Sequence, residues 1–167
     1  MKEFSFSSEI WLARSRSEVF PFFADARNLG AITPPWLSFR ILTPAPIVMR
    51  PGLLIDYEIR LRGLPLRWRT KISEWESPTR FVDEQVTGPY RQWIHEHTFE
   101  ESDGGTLCRD RVRYSVLGGR LINALFVRRD IERIFEFRRA CLLKRFGSSD
   151  RATGEDILRP TDVASVS

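Results

Sequence analysis

A tight-turn dipeptide between two alternating segments constrains this fold more than any other feature of the chain. Gly63-Leu64 separates residues 54–62 from residues 66–76, and apolar and polar side chains alternate in both segments. A glycine at the first central position is typical of a two-residue type II′ hairpin turn, which would pair Arg62 with Pro65. The predicted pairs are Ile59 with Trp68, Tyr57 with Thr70 and Ile55 with Ile72 on an apolar face, and Glu58 with Arg69 and Asp56 with Lys71 on a charged face.

A second hairpin is indicated by Asp103-Gly104, a dipeptide that type I′ turns strongly prefer. It joins residues 91–101 to residues 106–117 and pairs Ser102 with Gly105. A slip of one residue would exchange the two faces of the hairpin, so this register decides which side chains point inward. The predicted inward pairs are Phe99 with Cys108, His97 with Asp110, His95 with Val112 and Trp93 with Tyr114.

The remaining predicted elements are three strands, two short helices and one long helix. Hydroxyl residues near Ser15 offer a helix cap, and Pro34-Pro35 ends a second short helix. The period changes to helical spacing near Gly119, and Gly147 provides a stop. We predict strands over residues 4–13, 37–43 and 80–87, short helices after Ser15 and over residues 25–32, and a long amphipathic helix over residues 119–146.

Length and composition predict one domain. The chain has 167 residues, of which 42% are hydrophobic, and this suffices for a sizeable core. We assign residues 1–147 to the domain. Residues 148–167 have little apolar content and no clear period, so we predict that they form a disordered tail.

Charge and cysteine content exclude several classes of protein. The net charge of +4 is modest, and arginines are interleaved with acidic residues, so no nucleic-acid partner is expected. Cys108 and Cys141 belong to no CxxC or Cys/His cluster, which argues against a disulfide framework. The first residues lack the apolar segment of a signal peptide, and no apolar run could span a membrane. We therefore expect a cytoplasmic protein.

The order of these elements and the local sequence around the second hairpin resemble a known superfamily. The residues that carry the resemblance are Gly88-Pro89-Tyr90, Trp93, His95, His97, Phe99, Gly105-Thr106, Asp110, Val112 and Tyr114. The chain is similar over residues 3–146 to the SRPBCC superfamily, which includes START and birch-pollen-allergen-type proteins. Within it, the chain resembles the bacterial ligand-binding branch with polyketide cyclase/dehydrase-like relatives.

The resemblance implies an α+β helix-grip fold. In this fold a curved antiparallel sheet of about seven strands wraps around a long C-terminal helix, and two short helices follow the first strand. Proteins of this kind grip a hydrophobic ligand between sheet and helix. The implied ligand-binding residues are Tyr57, Ile59, Trp68, Thr70, Ile72, Phe81, Trp93, His95 and Phe99 on the sheet, and Leu125, Ile131 and Phe135 on the helix.

His97 and Asp110 are the candidate catalytic pair, with Tyr114 as a third residue. Directly opposite positions on one face of a hairpin bring their Cβ atoms to about 5 Å. A carboxylate at this distance can orient an imidazole and increase its basicity, as a general base requires. The alternative is structural, because Asp110 could simply satisfy the hydrogen bonding of a half-buried histidine.

A metal site is considered because His95 lies on the same face as His97 and Asp110. Third and fourth ligands are not evident from the sequence, and the carboxylates of Asp83 and Glu74 are no more than candidate neighbours. We therefore predict no metal and no cofactor.

Three functions are compatible with these residues. The first is binding of a hydrophobic or aromatic small molecule, lipid-like or polyketide-like, in an internal pocket. The second is a cyclase, dehydratase or isomerase that uses His97 with Asp110. The third is a protein-interaction domain whose core is filled by its own side chains. Catalysis needs several converging polar groups, whereas binding needs only an apolar cavity, so binding is preferred. A weak homodimer is left open as an assembly state.

Overall fold

The computed structural model describes residues 2–147, in which seven antiparallel strands form one sheet. The strand order is β1-β7-β6-β5-β4-β3-β2. Strands β2 to β7 therefore pair in chain order, and β1 pairs with β7 instead of β2. The predicted tail, residues 148–167, lies outside the described residues. The strands are β1 (Phe4–Leu12), β2 (Arg40–Ile41), β3 (Leu54–Leu61), β4 (Leu64–Glu76), β5 (Arg80–Thr87), β6 (Gln92–Ser102) and β7 (Gly105–Ser115).

Helical segments follow β1 and β7. The helix α1 (Arg16–Phe23) begins at Ser15, which forms a capping box with Glu18, as its hydroxyl-rich start predicts. The second short helix is a 3₁₀ helix, Ala26–Ile32. After β7, α2 (Gly119–Ile122), a π-helical turn (Asn123–Val127) and α3 (Arg128–Phe146) follow one another directly and are together called the C-terminal helix.

The second hairpin has the predicted register, and the first does not. Ser102 pairs with Gly105 and His97 with Asp110. In the first hairpin, however, Leu61 pairs with Leu64, so that Tyr57 lies opposite Trp68. The turn residues are Arg62 and Gly63, with φ values of 52° and 83°. Two consecutive positive φ values define a type I′ turn, whose twist matches the strands, and this replaces the predicted type II′ turn.

The corrected register shifts the first hairpin by two residues and therefore leaves its faces unchanged. Because side chains alternate with a period of two, the predicted inward residues still point inward. Ile55 now pairs with Thr70, and Ile59 with Leu66. On the charged face Asp56 meets Arg69 instead of Lys71, and their side chains form a salt bridge of 2.7 Å.

The strand predicted over residues 37–43 is much shorter than expected. Only Arg40–Ile41 pairs with β3, because Pro35–Leu37 forms a 3₁₀ turn and Ser38 adopts a positive φ of 46°. Leu37, at the end of the 3₁₀ turn, is buried.

The core lies between the sheet and α3. The buried stripe of α3 consists of Ile131, Phe135, Arg138, Leu142 and Phe146, and the ring of Phe135 lies 4.7 Å from that of Phe6 on β1. The spacing of this stripe is the helical repeat expected for one buried face. Among residues 2–147, no helix has the length and hydropathy required to cross a membrane.

Candidate functional site

A cavity of about 200 Å³ lies between the inward face of the sheet and α3. Most of its wall is apolar, and residues from β3, β4, β5, β6 and α3 contribute to it. The predicted residues that line it are Tyr57, Ile59, Trp68, Thr70, Ile72, Phe81, Trp93, His95, His97, Ile131 and Phe135. The chain's own side chains therefore do not fill the interior. A filled interior was what the third function, a protein-interaction domain, required.

Four predicted residues are not part of this wall. Leu125 is 52% exposed on the C-terminal helix, which corrects the prediction that it lines the pocket. Phe99 packs into the main core, where its ring lies 4.9 Å from that of Phe23. The Tyr114 hydroxyl donates to Asn123 Oδ1 at 2.9 Å, and burial raises the pKa of Tyr114 to about 12. Asp110 contacts both histidines without lining the cavity.

Asp25, Asp83 and Arg138 are charged residues of the wall that the sequence did not assign to the pocket. Arg138 is on α3, and Asp83 is on β5 directly opposite His95. A signal for Arg138 exists in the sequence, because it stands at helical spacing between the buried residues Phe135 and Leu142. Asp83 follows the inward residue Phe81 by two positions and must therefore share its face.

Asp83 and Arg138 complete a buried group, the histidine cluster, which comprises Asp83, His95, His97, Asp110 and Arg138. Asp110 Oδ1 lies 2.9 Å from His95 Nε2 and 2.8 Å from His97 Nδ1. On the other side, Asp83 Oδ2 lies 3.7 Å from His95 Nδ1 and 3.1 Å from His97 Nε2. The two imidazole rings, with centroids 3.8 Å apart, are thus held between two carboxylates.

The two carboxylates of the histidine cluster stay ionised. Burial alone would raise the pKa of Asp110, but the Arg138 charge and hydrogen bonds from both histidines hold it well below its usual value. An Arg138 guanidinium nitrogen lies 3.4 Å from Asp110 Oδ1. Burial also opposes ionisation of Asp83, yet its hydrogen bond with His97 and the nearby histidine charges lower the pKa of this carboxyl. The cluster therefore carries two negative charges in an apolar interior.

The two histidines respond in opposite directions to the same surroundings. Burial lowers the pKa of His95, and the charge of His97 adds to this effect. For His97 burial is outweighed by hydrogen bonds with Asp110 and Asp83, so its pKa is raised. The two imidazoles therefore differ in basicity although they contact the same two carboxylates.

Aromatic rings form another part of the wall. The Trp68 ring stacks on Tyr57 at 5.8 Å and meets Trp93 edge to face at 5.5 Å. Two buried donors, Trp68 Nε1 and Arg138 Nε, have no hydrogen-bond partner among the described residues. Both residues line the cavity. A buried donor without a partner is unfavourable by about 1–3 kcal/mol, so an acceptor supplied by a guest would be stabilising.

One protein-family model matches most of the chain. Residues 12–140 match the family model described as "Polyketide cyclase / dehydrase and lipid transport". None of the curated proteins matches the chain.

Several solved structures share the architecture at low sequence identity. Protein CV1439 from Chromobacterium violaceum has a TM-score of 0.68 at 13% identity, over 87% of this chain and 99% of that one. The ginseng major latex-like protein 151 from Panax ginseng has a TM-score of 0.62 at 7% identity, over 86% and 97% of the chains. For Ara h 8.0201 the TM-score is 0.61 at 16% identity, over 86% and 99%. The predicted helix-grip fold is confirmed.

Proposed function

We propose that this chain, which belongs to the polyketide cyclase/dehydrase and lipid transport family, binds a small, largely apolar molecule between its sheet and its C-terminal helix. The observation that carries the proposal is the cavity of about 200 Å³ beneath α3. Well-packed interiors contain few voids larger than a water molecule. A chamber of this size with a mostly apolar wall is therefore best explained as a ligand site.

The cavity volume limits the size of the ligand. A dry apolar cavity of about 150 Å³ accommodates benzene in another protein, and this cavity of about 200 Å³ is only slightly larger. A molecule with one or two fused rings fits this volume. We infer that the ligand is a compact aromatic or alicyclic molecule rather than a long-chain lipid.

The ligand is further expected to carry an oxygen acceptor. Trp68 Nε1 and Arg138 Nε are buried donors that lack a partner among the described residues, and their side chains line the cavity. A carbonyl or ether oxygen that reached either donor would remove an unfavourable buried group. The proposed ligand class is thus a one- or two-ring molecule with a carbonyl or similar acceptor.

A pair of matched ligands tests this proposal. Indane and 1-indanone have the same ring skeleton, and only 1-indanone carries a carbonyl oxygen. We expect both to raise the melting temperature and 1-indanone to bind more tightly by calorimetry, by roughly 5–10-fold for one hydrogen bond. Trp68→Phe keeps an aromatic ring and removes the donor, so it should reduce the preference for 1-indanone if Trp68 Nε1 is the contact.

A cavity-filling variant provides the control for the site itself. Ile134→Trp places a large side chain at a lining position of α3 and should abolish binding of both ligands. Glu136→Trp adds the same side chain at an exposed position of α3 and should leave binding unchanged. If neither compound bound the wild-type chain, or if Ile134→Trp bound them normally, this function would be rejected.

The geometry favours binding over proton abstraction by His97. Both ring nitrogens of His97 face a carboxylate, with Nδ1 2.8 Å from Asp110 and Nε2 3.1 Å from Asp83. A general base needs a lone pair within reach of the proton that it removes. Neither nitrogen of His97 presents one to the cavity while both carboxylates are in place.

A further inference from the structure

We propose that Asp83, His95 and His97 form a site for a divalent first-row transition-metal ion on the cavity wall. The proposal goes beyond small-molecule binding and stands independently of it. One ligand atom from each of the three side chains lies within 4.8 Å of the other two. All three side chains line the cavity. No metal was predicted from the sequence because a third ligand was not evident there, and the pairing of β5 with β6 supplies one.

The spacing of the ligand atoms fits a metal site. Asp83 Oδ2 is 3.1 Å from His97 Nε2 and 3.7 Å from His95 Nδ1. Bonds of about 2.0–2.1 Å in a tetrahedral arrangement place ligand atoms about 3.4 Å apart. Both distances from Asp83 are close to this tetrahedral spacing, and the ligand atoms offered by the two histidines lie within 4.8 Å of each other.

The second carboxylate is an independent reason to infer a metal. Histidines that bind metals almost always donate their other N–H to a carboxylate or carbonyl, which orients the ring. Asp110 Oδ1 lies 2.9 Å from His95 Nε2 and 2.8 Å from His97 Nδ1. These are the nitrogens that face away from Asp83. Asp110 therefore leaves His95 Nδ1 and His97 Nε2, the two nitrogens next to Asp83, as the metal ligands.

The charges of the histidine cluster agree with this assignment. Asp83 and Asp110 contribute two negative charges, and Arg138 contributes one positive charge. The closest contacts of Arg138 within the cluster are with Asp110 at 3.4 Å and with His97 Nδ1 at 3.5 Å, on the side away from Asp83. A cation beside Asp83 would compensate the remaining buried carboxylate.

The donor set narrows the choice of ion. Two imidazole nitrogens and one carboxylate oxygen suit Zn²⁺, Fe²⁺ or Co²⁺, whereas Ca²⁺ and Mg²⁺ prefer sites made only of oxygen and Cu⁺ prefers sulfur. Three protein ligands also leave at least one coordination position for a water or an oxygen of a guest. A carbonyl-bearing molecule in the cavity could occupy that position.

Zn²⁺ and Co²⁺ are the probes for this site. The untagged chain is treated with a chelator and titrated with Zn²⁺ by calorimetry, and bound metal is counted by elemental mass spectrometry after dialysis. We expect one ion per chain. The chain has only two histidines, so a Co²⁺ absorption spectrum that indicates nitrogen and oxygen ligands without a thiolate charge-transfer band must come from His95, His97 or both.

Matched variants separate the site from other metal-binding surfaces. Asp83→Asn should weaken Zn²⁺ binding by about 100-fold or more, and Asp110→Asn by about 10–100-fold, as expected for loss of a ligand and of its supporting carboxylate. Glu74→Gln, in the other carboxylate that the sequence suggested, should have no effect because Glu74 forms an exposed salt bridge with Arg80.

The metal-binding test gives a clear result even if one of the variants folds poorly. Circular dichroism of the metal-free variants establishes whether they are folded, and the wild-type Co²⁺ spectrum does not depend on them. Less than stoichiometric uptake of both ions by the wild-type chain would overturn the proposal. So would Zn²⁺ affinity that is the same in wild type, Asp83→Asn and Asp110→Asn. Neither result would bear on the binding of indane or 1-indanone.

Discussion

At the scale of single residues, Arg138 is the side chain on which the buried charges depend most. It is 8% exposed and lies 3.4 Å from Asp110, which the surrounding apolar residues separate from water. Removal of one partner from a buried charge pair is strongly destabilising, because it leaves the other charge uncompensated. Arg138→Met is therefore expected to lower the free energy of unfolding by about 3–5 kcal/mol in urea titrations.

The matched controls for this prediction are a charge-conserving and an exposed variant. Arg138→Lys keeps the positive charge and should lose clearly less stability than Arg138→Met. Arg129→Met removes an exposed arginine from the same helix, and a surface substitution of this kind changes stability by about 0.5 kcal/mol or less. Equal stability of Arg138→Met and Arg129→Met would show that Arg138 does not compensate Asp110.

At the scale of elements, the turn between β3 and β4 sets the register of the first hairpin. Gly63 has a φ of 83°, and a Cβ atom added there would meet no atom within 4 Å. The effect of a substitution is therefore purely conformational, and the left-handed conformation costs a residue with a Cβ atom roughly 1–2 kcal/mol. We expect Gly63→Ala to destabilise the chain by this amount in thermal or urea unfolding.

A substitution at the next residue tests whether the backbone conformation of Gly63 is the cause of the expected loss of stability. Leu64 is the first residue of β4 and is largely exposed, so Leu64→Ala should change the free energy of unfolding by about 0.5 kcal/mol or less. If Gly63→Ala were no more destabilising than Leu64→Ala, the type I′ turn would not be required for the hairpin.

At the scale of the whole molecule, the main core joins α1, the sheet and α3. Cys108 belongs to this core together with Phe20, Phe99 and Leu142, and burial raises the pKa of its thiol to about 12. A thiol reacts as the thiolate, so Cys108 should resist alkylation until the core opens. Opening of a central core residue requires global unfolding rather than local fraying.

Pulsed alkylation with mass spectrometry measures this prediction. In increasing urea, labelling of Cys108 is expected to follow the loss of circular dichroism with a single midpoint. Cys141, which is only partly buried, should be labelled faster than Cys108 in the absence of urea. Rapid labelling of Cys108 in the native chain would indicate that the core opens locally.

The sequence by itself determined the hairpins and their inward faces. Strand alternation has a period of two and turn chemistry is local. The inward face was therefore predicted correctly for Trp68, Trp93, His95 and His97, even though the pairing register of the first hairpin was wrong by two residues. The same local reasoning predicted the pairing of His97 with Asp110.

Only the tertiary structure decided how the site is completed. Asp83 reaches the histidines because β5 pairs with β6, and Arg138 reaches Asp110 because α3 docks across the sheet. Leu125 was misplaced for a related reason, since helical spacing predicts an apolar stripe but not which part of a long helix the sheet covers. Contacts between residues far apart in sequence depend on the docking of whole elements, and local patterns do not encode that geometry.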